Sequence, residues 1–227
     1  MALKELKQMV PLSSLDLIRE NEKKLNNNHV VIFIFVKPSD ANSDEIIGKF
    51  NYLHHLSGKF CTIYPIGYSS TPWNKFLYGN CKEVEGIDNQ VWYYSDKAFL
   101  EMIETIQSRI KWRYSGEQEI MMLQNNAEAN DFLSFKNYLC INIMQGLRKE
   151  YFPSFALLMQ NIINSTKKQL TGKEVMQDIS LRAIEGHIKL KDIIFDTIFT
   201  FVKVPKFAKK IINDCLFYYT ANSRNKN

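Results

Sequence analysis

The chain has 227 residues, of which 45% are hydrophobic and 23% are charged, a composition that excludes a wholly disordered protein. The formal net charge of +5 falls in the second half, because residues 1–127 carry 14 basic against 15 acidic side chains and residues 128–227 carry 15 against 9. A basic half is compatible with an anionic partner such as nucleic acid, or simply with a solvated surface.

No segment of the sequence predicts a leader peptide or a membrane span. The first 20 residues include acidic side chains and have no continuous apolar region. The best candidate span, residues 188–204, is interrupted by Lys189, Lys191, Asp192 and Asp196. The cysteines form no CxxC pair, so reduced thiols are expected at Cys61, Cys81, Cys140 and Cys215. We therefore expect a soluble cytoplasmic protein without a membrane partner.

The first predicted element is helical, and a buried strand follows it. Residues 3–25 predict one or two helical pieces, broken at Pro11. Residues 30–36 are apolar throughout, which is typical of a strand buried on both faces near the centre of a parallel sheet. Ser43 predicts the N-cap of a helix of about four turns, and Ser57-Gly58 predicts its end.

A second strand over residues 59–66 should lie parallel to the first. A long irregular loop then covers residues 69–89, and a loop of that length is often functional or a lid. Residues 90–94 and 118–123 predict two more strands around a helix that Ser95 or Asp96 caps. The resulting β-α-β-β-α-β order fits a ferredoxin-like split unit or a small Rossmann-like sheet.

The second half of the chain predicts helices only. A first long helix is indicated by apolar side chains at helical spacing, namely Phe132, Phe135, Leu139, Ile143 and Leu147. Further helices are predicted after Pro153, after Thr171-Gly172, over residues 190–202, and from Pro205 to about Thr220. The predicted fold is thus α+β or α/β, with a sheet domain followed by a helical bundle. Its parts are an N-terminal helical segment (1–28), the sheet domain (29–126), the helical domain (127–220) and a tail (221–227).

A ligand-binding rim is predicted where the first two strands end, because ligands bind at the carboxyl edge of parallel sheets. The residues assigned to this rim are Ser39, Asp40, Ser43, Tyr64, Tyr68 and Trp73. The helix N-terminus beside them could hold an anion. The alternative is that these aromatic side chains only pack the long loop onto the domain.

Arg182 and His187 form an Arg-Ala-Ile-Glu-Gly-His hexapeptide in the predicted helical domain. This spacing resembles the R-x4-6-H signature of the HEPN ribonucleases, a helical family that cleaves RNA without metal near a dimer interface. The resemblance implies that His187 acts as acid or base and that Arg182 holds a phosphate. The alternative is an exposed helix face that ends at Gly186.

Two further groups of side chains carry residue types that can form a site. A basic helical face for nucleic acid is predicted from Lys203, Lys206, Lys209 and Lys210, with a solvated face as the alternative. His54, His55, Cys61 and Cys81 have spacings that fit no standard zinc site, so no metal and no cofactor are predicted.

Two hypotheses for the function follow. The first is a non-enzymatic binding or assembly module that acts through protein partners, its own copies or a basic face contacting nucleic acid. The second is an HEPN-like ribonuclease using Arg182 and His187. The segments FNYLHHLSGKFCTIYPIGY and WRYSGEQEIMML resemble bacterial proteins found near phage-defence genes, which implies a bacterial, defence-associated role.

Overall fold

The structure is a computed structural model that describes residues 9–25, 29–125, 133–177, 190–201, 210–211, 214 and 216–220. The helices are α1 (Leu15–Leu25), α2 (Ser43–Ile47), α3 (Phe50–Ser57), α4 (Lys75–Tyr78), α5 (Asp96–Gln107), α6 (Ile143–Arg148), α7 (Phe155–Gln177) and α8 (Leu190–Phe201). The strands are β1 (Val30–Phe35), β2 (Cys61–Pro65), β3 (Tyr68–Ser69), β4 (Lys82–Glu85), β5 (Val91–Tyr94), β6 (Glu119–Asn125), β7 (Leu133–Asn142) and β8 (Leu216–Thr220).

A five-stranded mixed sheet forms the centre of the protein, in the order β2-β1-β6-β7-β8. The predicted parallel pairing of β1 with β2 is confirmed, with Val30 opposite Cys61 and Ile34 opposite Pro65. The other neighbours pair antiparallel. The predicted mixed α/β class is therefore confirmed, with helices and strands in one fold.

Both faces of β1 are covered, which explains why every one of its side chains is buried. Phe35, on one face, contacts the rings of Phe99 from α5 and of Trp112. The other face carries Ile34, which aligns through β6 with Ile141 of β7. Ile141 lines a small apolar space together with side chains of α7 and α8. A continuous apolar run is the sequence pattern that such two-sided burial requires.

A second, three-stranded sheet in the order β3-β5-β4 contains the third predicted strand. Its inner face packs onto the core through Tyr68 and Trp92, whose rings lie 5.6 and 5.9 Å from that of Phe50. Because β5 pairs here and not in the main sheet, neither the ferredoxin-like nor the Rossmann-like arrangement is observed. The predicted irregular loop over residues 69–89 is likewise wrong in part, since α4 and β4 lie within it.

The prediction of an entirely helical second half is wrong. The segment expected to begin with a long helix is the ten-residue strand β7, and only six residues after it are helical, in α6. Side chains four residues apart share a face in a strand as well as in a helix, so the spacing from Phe135 to Leu147 could not distinguish the two. The sheet therefore continues across the expected boundary at residues 126 and 127, because β6 pairs with β7.

Two more C-terminal expectations are corrected. Residues 216–220 form an edge strand beside β7 and not the end of a helix, in line with the high strand propensity of the sequence LFYYT. A new helix was expected to start after Thr171 and Gly172, but helix α7 continues through both residues to Gln177. The helix predicted over residues 190–202 is confirmed as α8. No helix within the described residues is long and apolar enough to cross a membrane.

A buried carboxylate connects the N-terminal helix to the sheet. Glu22 of α1 is fully buried and accepts hydrogen bonds from Tyr64 Oη at 2.5 Å and Asn125 Nδ2 at 2.7 Å. His29 Nε2 lies 2.8 Å from the same carboxylate and 2.7 Å from Thr62 Oγ1. A buried carboxylate is tolerated only when hydrogen bonds and charge replace its lost hydration, so these contacts fix the position of α1.

We expect Tyr64→Phe to lower the free energy of unfolding by about 1–3 kcal/mol, because it removes the donor that reaches Glu22 Oε1 inside the core. The hydroxyl also accepts from Asn21 Nδ2, which loses its acceptor. Urea unfolding followed by circular dichroism measures the change. Tyr52→Phe is the matched control, since Tyr52 is 42% exposed; equal effects of the two substitutions would contradict the assigned role of Tyr64.

A second carboxylate, Glu117, joins the start of β6 to the end of α6. It accepts two hydrogen bonds from Arg148, at 2.7 and 2.8 Å, and one from Asn142 at 3.0 Å. The hydrogen bond from Arg148 lowers the pKa of Glu117 below its ordinary value. Ionised Glu117 therefore stabilises the fold above the ordinary carboxyl pKa, and this contribution is lost as the pH falls through the folded-state pKa.

We therefore expect Glu117→Gln to lose less stability than the wild type when the pH falls from about 5 to about 3. Urea midpoints across this range measure the effect. Glu104→Gln is the control, because Glu104 is exposed and has no ion-pair partner among the described residues. An identical pH dependence in wild type and Glu117→Gln would show that the contact with Arg148 is not formed in solution.

Candidate functional site

The polar residues expected at the rim lie in the turn after β1, where they mainly bond to their own turn. Ser43 is buried and donates from Oγ to the carbonyl of Pro38 at 3.1 Å. Asp40 Oδ2 accepts from the backbone N–H of Lys37 at 3.0 Å. Ser39 is exposed. These contacts shape the turn, on which Ser39 and Asn42 remain exposed.

The predicted anion site at the helix N-terminus is not supported. The N-cap is Asn42, which has a φ of 60°, and Ser43 is the first helical residue. The helix expected to span about four turns is divided into α2, with five residues, and α3, with eight. The dipole of a five-residue helix is small, so it provides little attraction for an anion.

Tyr68 is the aromatic residue that the fold does bring to this turn. Its hydroxyl donates to the carbonyl of Val36 at 3.1 Å. Burial raises the pKa of Tyr68 well above its ordinary value, and the nearby charge of Asp40 raises that pKa further. The ring of Tyr68 is completely buried, so it packs in the core and is not exposed at the rim.

Tyr64 was wrongly assigned to the rim. Its side chain is buried under α1, where it donates to Glu22 and contacts the ring of Phe33. Burial, followed by the charge of Glu22, raises the pKa of Tyr64 far above its ordinary value. The set of buried polar side chains around Glu22 was not predicted from sequence. Because its members are inaccessible and bonded to one another, the set is structural.

Trp73, the last rim residue, lies on the outer side of the small sheet. Its indole N–H donates to the carbonyl of Tyr93 at 2.9 Å, and its ring packs on Tyr78 with centroids 4.6 Å apart. Trp73 therefore belongs to a different surface from Asp40 and Tyr68. The aromatic residues of the predicted rim are therefore divided between two places. Tyr68 is buried in the core, and Trp73 packs on Tyr78 of α4.

Helix α4 is held on the outer surface by directional hydrogen bonds. Asn74 caps it by accepting from the N–H of Phe76 at 2.9 Å. Lys97 Nζ of α5 donates to the carbonyl of Leu77 at 2.8 Å, and Ser95 Oγ donates to the carbonyl of Tyr78 at 3.3 Å. These bonds satisfy carbonyl groups at the end of a helix that is too short to be stable alone.

The most exposed large apolar side chains of the described residues include three that belong to α4 and α5. Phe76 is 100% exposed, Leu77 is 59% exposed and Leu100 is 51% exposed. Lys97, which bonds to Leu77, lies one helical turn before Leu100 on the same face of α5. We call this surface, formed by Phe76, Leu77 and Leu100, the α4–α5 patch.

Sequence reasoning did not identify the α4–α5 patch. Phe76 lies within the segment predicted to be an irregular loop, and no sequence pattern indicates that its ring is exposed. Leu100 offered a usable signal, because it lies outside the apolar stripe of α5 formed by Phe99, Ile103 and Ile106. An apolar side chain on the polar face of an amphipathic helix is a candidate contact residue.

The basic and catalytic candidates fall mostly on residues that the structure does not describe. Arg182, His187, Lys203, Lys206 and Lys209 lie outside the described residues. Lys210 is described and exposed. The all-helical context that accompanied the HEPN resemblance is absent from the described second half, because β7 and β8 belong to the main sheet.

The histidines and cysteines considered as metal ligands each have other contacts. His54 Nδ1 accepts from the N–H of Met9, and His55 lies 3.5 Å from Asp88. Cys61 is buried, which raises the pKa of its thiol to about 12, and Cys81 contacts the carbonyl of Gly79. Among the described residues, no group of three or more potential ligands converges.

Comparison with protein-family models, with curated proteins and with solved structures gives no significant match. Among the described residues, the α4–α5 patch holds the three most exposed large apolar side chains.

We expect Lys97→Met to loosen α4 without unfolding the protein, because the lysine is half-exposed and its hydrogen bond to Leu77 is local. Amide hydrogen exchange should become faster at Tyr78 and Gly79, whose N–H groups bond within α4. Exchange in β1 should not change. Lys24→Met on α1 is the control, and unchanged exchange in α4 of the Lys97 variant would contradict the role assigned to Lys97.

Proposed function

We propose that this protein is a non-enzymatic binding module that assembles with a protein partner through the α4–α5 patch. The single observation that carries the proposal is the complete exposure of Phe76 on a helix held in place by hydrogen bonds. Burying a phenylalanine side chain is worth about 1.5–3 kcal/mol. In the isolated chain the ring of Phe76 remains in contact with water. A partner that covers the patch buries the ring, and this burial stabilises the complex.

The fixed position of α4 makes the ring of Phe76 a suitable anchor. Binding is weakened when side chains and loops must become ordered, and that cost is smaller when the contact element is already structured. Here the cap by Asn74 and the contacts from Lys97 and Ser95 order α4 before any partner arrives. Aromatic anchors at the centre of a contact surface commonly dominate the binding free energy.

Three buried ionisable side chains have structural partners inside the protein. Glu22 and His29 are buried and bonded to each other, and Glu119 accepts from the indole N–H of Trp112 and the backbone N–H of Ser115. Burial raises the pKa of Glu119 above its ordinary value. None of these three side chains is accessible to a substrate. The proposal also includes the bacterial, defence-associated setting, for which the sequence resemblance is the support.

Site-specific photo-cross-linking tests the proposal. The full chain carrying p-benzoylphenylalanine at position 76 should give discrete protein adducts in extracts of the native host. Addition of excess unlabelled wild-type chain should suppress these adducts, because it competes for the same partner. A chain that also carries Leu77→Ser and Leu100→Ser should give adducts at reduced yield, since it lacks the rest of the patch.

The matched control places the same photoreactive residue at position 52, where the native tyrosine is 42% exposed on α3. Adducts that appear at position 76 and not at position 52 support the patch as the contact surface. Equal yields at both positions, or no suppression by the wild-type chain, would overturn the proposal.

A further inference from the structure

We infer that a groove between α7 and α8 binds a small zwitterion of the α-amino acid class. The groove is a different surface from the α4–α5 patch, so the inference does not rest on the proposed function. Two observations carry it: deep polar groups of the groove make no hydrogen bond to the described residues, and its rim has charges of both signs.

The groove has the size of a small-molecule site and a polar lining. Its volume is about 360 Å³, and pockets for small ligands measure about 300–1,000 Å³. Side chains from one face of α7 and from α8 line it, namely Asn161, Asn164, Ser165, Lys168, Asp196 and Thr200. The ligand is therefore expected to be small and polar.

Two of the deeper lining side chains have unused hydrogen-bonding capacity. Ser165 is only 8% exposed, and its hydroxyl has no hydrogen-bond partner among the described residues. The amide nitrogen of Asn161 is buried and is likewise without a partner in the described part of the chain. A buried polar group without a partner destabilises the fold, so both groups favour a ligand that supplies polar atoms.

The hydroxyl of Ser165 differs from the other hydroxyls on these two helices. Thr166, Thr197 and Thr200 each donate to the backbone carbonyl four residues earlier, at 2.8, 2.8 and 2.9 Å. This local bond is the usual one for a hydroxyl inside a helix. Ser165 does not make it, and its hydroxyl therefore remains available to a molecule in the groove.

The rim of the groove carries charges of both signs. Asp196 of α8 is exposed, and its carboxylate has no partner among the described residues. Asp192 lies one turn earlier on the same helix face and is also exposed. On α7, Lys168 lines the groove, whereas Lys167 lies over the ring of Phe60, 5.5 Å from its centroid. Negative charge is thus on the α8 side and positive charge on the α7 side.

These charges select a ligand that carries both signs. Asp192 and Asp196 would repel a phosphate, and Lys168 would repel a polyamine. An α-amino acid presents its ammonium group to Asp196 and its carboxylate to Lys168. The lysine ammonium has three donors, so it can bond the ligand and also keep a contact within the chain.

The groups without partners complete the contact with the ligand carboxylate. The hydroxyl of Ser165 donates to one carboxylate oxygen. The terminal torsion of an asparagine side chain is soft, so the amide of Asn161 can turn its N–H₂ group into the groove when an acceptor is present. The bound zwitterion then satisfies both buried groups and both charges.

Saturation-transfer-difference NMR on the full chain tests the inference. The probes are a mixture of the standard L-amino acids and, in separate samples, glucose, methyl phosphate and putrescine, each at about 1 mM. At least one amino acid should receive saturation from the protein, and the other three probes should not. Calorimetric titration of the amino acid with the strongest signal then gives its dissociation constant.

Substitutions that preserve side-chain size locate the binding site. Asp196→Asn removes the charge that faces the ligand ammonium and should raise the dissociation constant about tenfold or more, and Ser165→Ala should raise it about fivefold. Urea unfolding checks that both variants fold. Asp44→Asn on α2 and Ser70→Ala after β3, both at exposed positions, are the matched controls and should leave the dissociation constant unchanged.

Each other outcome overturns a defined part of the inference. Binding of glucose, methyl phosphate or putrescine without binding of any amino acid overturns the zwitterionic ligand. An amino acid that wild type, Asp196→Asn and Ser165→Ala bind equally tightly overturns the groove as its site. Absence of saturation transfer to every probe overturns the inference as a whole, while the proposed function of the α4–α5 patch is judged separately by cross-linking at position 76.

Discussion

The burial of β1 on both faces and both edges is the constraint on which the rest of the structure depends. A buried strand must bond its backbone groups on each side, and β1 does so with β2 in parallel and β6 in antiparallel orientation. Its two faces must also be shielded from water. Phe99 and Trp112 shield one face, and side chains of α7 and α8 pack near Ile141 on the other. The C-terminal helices are therefore part of the same core as the N-terminal sheet.

Buried carboxylates add specific connections to this apolar framework. Glu22 joins α1 to residues as distant in sequence as Asn125, and Glu119 fixes the segment that carries Trp112 against the start of β6. Each carboxylate receives at least two hydrogen bonds, as a buried charge requires. Removing one hydrogen-bond donor leaves the buried carboxylate partly unsatisfied and lowers the stability of the fold. The complete set of hydrogen bonds specifies how α1 and the segment before β6 pack on the sheet.

At α4 the surface combines satisfied polar groups with an exposed apolar side chain. There the polar atoms are satisfied within the chain, through Asn74, Lys97 and Ser95, while the ring of Phe76 remains in water. Trp73 and Tyr78 pack on each other nearby. A fixed, exposed apolar residue is the arrangement expected of a contact surface, and it links the fold to the proposed assembly.

Local elements whose signals act over a few residues could be predicted from the sequence alone. The apolar run of β1, a cap of α5 at Ser95 or Asp96 (Ser95 in the structure) and the apolar pattern of α8 were predicted, because propensity and capping are short-range effects. The strand β7 could not be predicted, because a four-residue spacing fits a helix and a strand equally and the pairing with β6 selects the strand. The hydrogen bond from Tyr64 to Glu22 and the exposure of Phe76 likewise depend on how distant parts of the chain pack. Burial of a side chain depends on partners far along the chain, and a single sequence does not reveal which distant residues meet.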